Sequence, residues 1–290
     1  MSLLPILIAT MVMIGVGVLG WRPPRALAVK LTSVVVSVMA FVALAVLVAT
    51  ATGFVLGPAQ RGRLVAWCRV FPAHHEVGGL EGIGSLLVLG FIVVRLSLIA
   101  WRRRTARRGT QGRRLAIRAD DRPLAYAAPG QPGCVVVSTG LLDVLNPQER
   151  HVVFAHERAH LVARHDRYIL IAAVVDTVLP VLRPLTNHLR LSTEREADEA
   201  AVRAVGGDRH LVATAISKAA LAQSSRPLPL PAFGGSCIVA RVEALLGPAP
   251  ARTDGGWATA TTAIGALLAV GASLVQIVIL TDLVLHICHG

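Results

Sequence analysis

Apolar side chains run almost unbroken through residues 3–20 and again through 31–56, 83–101 and 258–280. A helix needs about 20 apolar residues to cross a bilayer, so each run predicts a transmembrane span. A secretory signal is the rival reading of the first run. No basic residue precedes it, however, while Arg22, Arg25 and Lys30 follow. Arg95 interrupts the third run and is expected to snorkel or to face protein. Between the third and fourth runs the pattern changes. Residues 114–118, 123–127 and 134–138 read as short strands, with Pro129-Gly130-Gln131-Pro132-Gly133 as a turn. A helix then starts at Asn146, a good N-cap, with Pro147 in the first turn and Glu149 where a capping box places its acid. Val152, Val153, Phe154, Ala155, Ala159, Leu161 and Val162 carry it on without Gly or Pro. The apolar run 168–182, broken by Asp176 and Pro180, is short for a span and predicts a core or membrane-lying helix. A polar helix follows, with Ser192 or Thr193 near its cap. Residues 223–236, rich in proline with a Gly-Gly pair, predict an irregular connector. The fold class is mainly α: four transmembrane helices with an α+β domain between the third and fourth. This divides the chain into 1–101, 102–257 and 258–290.

Composition sharpens that picture. The chain is 54% hydrophobic but only 4% aromatic, an aliphatic excess unlike that of a soluble domain. Its formal charge of +12 comes from arginine, because Lys30 and Lys218 are the only lysines. Nine arginines (Arg102, Arg103, Arg104, Arg107, Arg108, Arg113, Arg114, Arg118 and Arg122) follow the third run. They lack interleaved aromatics, so direct nucleic-acid binding is not expected. By the positive-inside rule this segment and the loop 21–30 are cytoplasmic. Both termini then lie outside a multi-pass cell-membrane protein, and 102–257 faces the cytoplasm. The outer loop 57–82 carries Arg61, Arg63 and Arg69, a weaker contrary signal, and a pair of histidines, His74 and His75, read as incidental. Cys68, Cys134, Cys237 and Cys288 show no metal-binding spacing. The default for each is an unpaired buried thiol; Cys68 and Cys288 share the oxidising face in this topology, which leaves a disulfide between them open.

The chemistry concentrates in Ala155-His156-Glu157-Arg158-Ala159-His160-Leu161. Positions i and i+4 of a helix share a face, so His156 and His160 can offer two imidazoles to one ion. Glu157 lies about 100° around the helix, within reach of a water beside that ion. Zinc so held lowers the pKa of its water to about 7, and a carboxylate can take the proton. Two acids compete for the third ligand position. Asp166 follows His160 by six residues, but the turn that would bring it back normally uses glycine, and Ala163 occupies that place and favours continuing the helix. Glu194 is better placed, with Asp198 at i+4 able to hold a ligand histidine from behind. Glu196 reads as a solvated charge. His188 is a possible substrate contact, with a helix-surface role the simpler reading.

The runs Val135-Val136-Val137-Ser138-Thr139-Gly140-Leu141-Leu142, Asn146-Pro147-Gln148-Glu149-Arg150, A-H-E-R-A-H-L and Glu194-Arg195-Glu196-Ala197-Asp198 resemble the BlaR/MecR family of membrane zinc peptidases. The likeness spans about 115–205 and the flanking spans. More distantly the chain is similar to HtpX-like and CAAX-prenyl proteases. The resemblance implies a zincin-like (gluzincin) domain, with Zn2+ on His156, His160 and Glu194, Glu157 as general base and Asp198 behind a ligand. It implies an endopeptidase acting on a protein or peptide at the cytoplasmic face, with repressor cleavage in signalling as one outcome. Arg164, His165 and Asp166 loosely echo the basic stretch and acid that follow the family's helix. No S-x-x-K sequence is present, so β-lactam sensing is not expected. Quality-control proteolysis of the HtpX type is the alternative within the enzyme class. A non-catalytic signalling protein with a structural zinc is the alternative outside it, and such a protein has no use for Glu157.

Overall fold

The computed structural model describes residues 25–55, 79–108, 112–224 and 235–247. The expected first and fourth spans, His74, His75, Cys68, Cys288 and residues 225–234 of the proline-rich connector lie outside the described residues. Among those described, the chain is mainly helical with one small sheet. It divides into two compact units, one of Met1–Ile99, Ala173–Thr186 and Gly256–Gly290, the other of Ala100–Ala172 and Asn187–Gly255.

In the first unit, helix α1 (Arg25–Val55) covers the expected second span, with Thr32–Ala45 as its apolar stretch. Three of its hydroxyls turn back on their own backbone: Ser33 donates to the Lys30 carbonyl, Ser37 to Ser33 and Thr52 to Val48. That satisfies polar groups inside an apolar helix. Helix α2 (Gly79–Arg108) carries the one segment among the described residues long and apolar enough to cross a membrane, Gly82–Thr105. Leu87, Phe91, Val93 and Val94 are exposed on it, the reverse of a helix built for water. One candidate span is therefore described where four are expected.

The second unit holds the sheet β1 (Leu115–Arg118), β2 (Ala125–Ala128) and β3 (Cys134–Ser138), close to the expected strands. The strand order is β1-β3-β2, with β1 parallel and β2 antiparallel to β3. Central β3 is buried throughout, which is why its sequence is a valine run. Ser138 ends the strand and caps α3 (Thr139–Val144), accepting from the Leu141 and Leu124 amides. Gly140 is required here, because a Cβ would collide with the Asp121 carbonyl.

Helix α4 (Pro147–Val162) starts with the capping box read from the sequence. Asn146 Oδ1 accepts from the Glu149 amide, and Glu149 Oε2 accepts from the Asn146 amide, each at 2.9 Å. Buried Glu149 also meets Lys218 Nζ of α7 (Arg209–Ser224) at 2.5 Å. One face of α4 puts Val153 against Val135, Val137, Leu141 and Leu145. Another puts Val152 into a cluster with Ala201, Val212, Ile216 and Leu245. Each buried valine contributes roughly 1.5–3 kcal/mol, so α4 is clamped between sheet and helices.

Two expectations need correction. Helix α4 stops at Val162 rather than running on: Ala163 caps it and Arg164 takes a left-handed φ of 55°. The Ala163 amide bonds to the Ala159 carbonyl and the Arg164 amide to that of Leu161, so two of the last-turn carbonyls are satisfied without glycine. After α5 (His165–Val178) and a 3₁₀ turn (Pro180–Leu182), helix α6 runs Arg183–Ala204. Ser192 and Thr193 therefore lie inside α6 rather than at its cap. Their hydroxyls bond back to the His188 and Arg190 carbonyls, which removes the need for a capping role.

Candidate metal centre

Helices α4 and α6 and the last described helix, α8 (Gly235–Leu246), each supply part of one cluster. The i, i+4 spacing brings His156 Nε2 and His160 Nε2 to 3.1 Å from each other. Glu194 completes a triangle: Oε2 lies 3.5 Å from His156 Nε2 and Oε1 lies 3.6 Å from His160 Nε2. Donors bonded to a tetrahedral zinc at about 2.1 Å sit roughly 3.4 Å apart. Two imidazoles and a carboxylate at these separations therefore fit zinc, and three protein donors leave one corner for water or substrate.

Behind His156 stands Asp198, its Oδ1 3.0 Å from Nδ1. The contact is close but not aligned as a hydrogen bond. Behind His160 stands His165, with the two Nδ1 atoms 3.0 Å apart. His165 is fully buried, and its Nε2 lies 3.4 Å from Glu196 Oε2. Glu196 is thus a partner of His165 rather than only a solvated charge. Had α4 continued past Val162, the backbone would not have doubled back to place His165 there.

Arg241 of α8 joins the acids. Its Nε and Nη2 reach the two Asp198 oxygens at 2.8 and 2.6 Å, and Nη1 reaches Glu194 Oε2 at 2.9 Å. Sequence reading missed both His165 as a partner of His160 and Arg241 altogether. The family-like echo at 164–166 was a faint signal for the first; no spacing rule pointed to the second.

The electrostatics follow from these partners. Burial alone would lower His156, but Asp198 and Glu194 overcome it and raise its pKa to about 10. Burial and the neighbouring His156 lower His160 to about 3. For Glu194 burial acts upward, yet His156 and Arg241 hold the carboxyl well below its ordinary range. Asp198 is held low by His156 and Arg241, also against burial. Glu157 differs from both: burial pushes its carboxyl up, despite His156 and an amide N–H donated by Ala127. A carboxylate raised in this way is suited to taking and returning a proton.

Ala127 belongs to β2, an edge strand. Ser138 N–H donates to the Leu124 carbonyl, and β2 pairs Ala125 with Val137 and Tyr126 with Val136. By antiparallel alternation Tyr126 and Ala128 bond to β3, while Ala125 and Ala127 turn their backbone groups the other way.

Asp166 is in the first turn of α5 and outside the ligand group, its carbonyl accepting from Arg103 Nη2 at 2.6 Å. His188 lies half-buried on α6, also outside that group.

Residues 96–183 match the model of Peptidase family M48. The comparisons with curated proteins and with solved structures give no match. The matched stretch contains His156, Glu157 and His160 but ends before Glu194, Asp198 and Arg241. Those three are joined to the motif by geometry alone. Together, the match and the His-His-Glu triangle support a metal-dependent peptidase.

Proposed function

We propose that the chain is an integral-membrane zinc endopeptidase that cleaves a protein substrate at the cytoplasmic face, with repressor cleavage of the BlaR/MecR kind as its biological use. The observation that carries this reading is the convergence of His156, His160 and Glu194 within 4.8 Å, with Glu157 on the next residue. Zinc, when bound, supplies a Lewis acid that polarises the scissile carbonyl and makes water a nucleophile near neutral pH.

The protein's own groups do the rest. His156 and His160 present Nε2, so each must carry its proton on Nδ1, toward Asp198 and His165 respectively. His165 then accepts on Nδ1 and keeps its proton on Nε2, facing Glu196. Glu157 takes the proton of the attacking water and returns it to the leaving amine, a role worth about 10²–10⁴ in rate. The outward backbone groups at Ala125 and on the Ala127 carbonyl suit an extended peptide added as a further strand. The arginines from Arg102 onward favour the cytoplasmic side for this domain. A reporter fused at position 110 should accordingly read as cytoplasmic, and an external signal would invert the topology.

The matched model describes peptidases broadly and does not single out repressor cleavage, so HtpX-like quality control stands as a second reading. Glu157→Gln is the main test. It should keep stoichiometric zinc while proteolysis falls by about 10²–10⁴. Cleavage at the wild-type rate would sink the mechanism. Peptides that disappear with this variant distinguish one repressor from a spread of membrane proteins.

A further inference from the structure

We infer that Arg241 is a positioning residue for the metal site: one guanidinium fixes both the third ligand, Glu194, and the carboxylate behind His156, Asp198. The inference rests on the zinc reading above.

The side chain is only 11% exposed and spends three contacts, all under 3 Å, on these two acids. Two parallel contacts to Asp198 form the planar fork that arginine makes and lysine cannot. The third runs to Glu194, one helical turn earlier on α6. Position 241 is itself held firmly. Leu245, four residues on, is buried in the cluster with Val152 and Val212. Arg209 donates to the Leu245 carbonyl at 3.1 Å while pairing with Glu199, and Arg195 donates to the Ala240 carbonyl at 3.3 Å. Helix α8 is thereby tied to α6 and α7, and Arg241 reaches the acids from a fixed base.

Two effects oppose each other. A cation 2.9 Å from a ligand oxygen repels an incoming dication, which would weaken metal binding. Yet without Arg241 a buried carboxylate, Asp198, and a half-buried one, Glu194, would face each other one turn apart with only His156 between them. One would then protonate or swing away, and a ligand would be lost. Positioning outweighs repulsion because Asp198 receives two of the three contacts and absorbs most of the positive charge. Glu194 also keeps Oε1, the oxygen nearer His160, clear of the contact made to Oε2.

The test measures zinc affinity by chelator competition on the full-length protein in detergent, alongside thermal unfolding of the zinc-free form. Arg241→Met should weaken zinc about 10–100-fold, the range for loss of a group that orients ligands. Arg241→Lys should recover part of that loss, having the charge without the fork. Combined with Asp198→Asn, the loss should be smaller than the product of the two single losses, because both changes break the same contact. A merely structural arginine would lower the unfolding temperature and leave zinc affinity unchanged, which would overturn the inference. Tighter zinc binding in Arg241→Met would also overturn it, showing repulsion to dominate. A raised KM at unchanged zinc affinity would do so too, by making Arg241 a substrate contact. If wild-type protein binds no zinc, the proposed function falls and this inference with it; if wild type binds and Arg241→Met binds equally well, only the inference falls.

Discussion

His156 and His160 are the same residue, one turn apart on one helix, offering the same ring nitrogen to the same point. The walls behind them differ completely. His156 backs onto a carboxylate that is itself gripped by an arginine, and its pKa rises to about 10. His160 has only a buried imidazole behind it, no carboxylate, so burial and the neighbouring His156 bring it down to about 3. Before metal arrives, the first ring carries a second proton and a positive charge, while the second stays neutral with its one proton on Nδ1. The pair already shares out one positive charge between two close rings, which could not both be charged at 3.1 Å. The helix fixes where the donors stand; the elements packed behind them fix how strongly each one donates.

This contrast implies unequal dependence on the two supports. Asp198→Asn removes the charge behind His156 but keeps its shape, and should weaken zinc about 10–100-fold. His165→Asn keeps an acceptor near His160 Nδ1 and removes no net charge, so its loss should be several-fold smaller. Chelator competition on both variants ranks them. Equal losses, or a larger one at His165, would mean that the second support matters as much as the charged one.

Much of this site was legible in the sequence, and the rest was not, for identifiable reasons. The capping box of Asn146 and Glu149 and the shared face of His156 and His160 follow the helical spacing of three to four residues, and β3 stands out as a β-branched run, all of which sequence displays directly. The break at Ala163 did not, because alanine favours helix and the turn is secured by backbone bonds and by an arginine at positive φ. Ser192 and Thr193 looked like caps because hydroxyl residues cap helices, yet they bond backward within α6. Arg241 lies 43 residues from Asp198, beyond a proline-rich stretch, and only tertiary packing relates the two. Glu194 stood out as a candidate because its i, i+4 acid partner Asp198 is a local pattern too.

The opposite shifts also predict how the zinc-free protein responds to pH. His156 has a folded pKa above its ordinary 6.5, so its contribution is complete below 6.5 and is lost as pH rises through about 10. His160 has a folded pKa below 6.5, so the unfolded chain takes up the proton first, and stability is lost as pH falls from 6.5 toward 3. Each arm has a limiting slope of about 1.4 kcal/mol per pH unit, with opposite signs. Unfolding temperatures of chelated protein should peak near pH 6.5. His156→Gln should flatten the alkaline arm and His160→Gln the acid arm. Flattening of the wrong arm by either variant would reverse the assignment of the proton to His156. Zinc binding near pH 7.5 should release about one proton, measurable as a buffer-dependent heat.

The smallest effect tests whether the start of α4 matters to the two donors at all. Asn146 caps the helix ten residues before His156, and Glu149, the other half of the box, is tied to Lys218 of α7. Burial would raise the Glu149 carboxyl, but Lys218 and the Asn146 amide hold it below its ordinary value, so the box is intact at neutral pH. Asn146→Ala should cost about 1 kcal/mol of stability, the usual loss for an N-cap. It should leave zinc affinity unchanged, because Val152 and Val153 lock the helix to two separate clusters before the first histidine is reached. A change in zinc affinity comparable to that of Asp198→Asn would show that the donors are placed by the end of their own helix. The contrast between the two walls would then be secondary to the position of α4 itself.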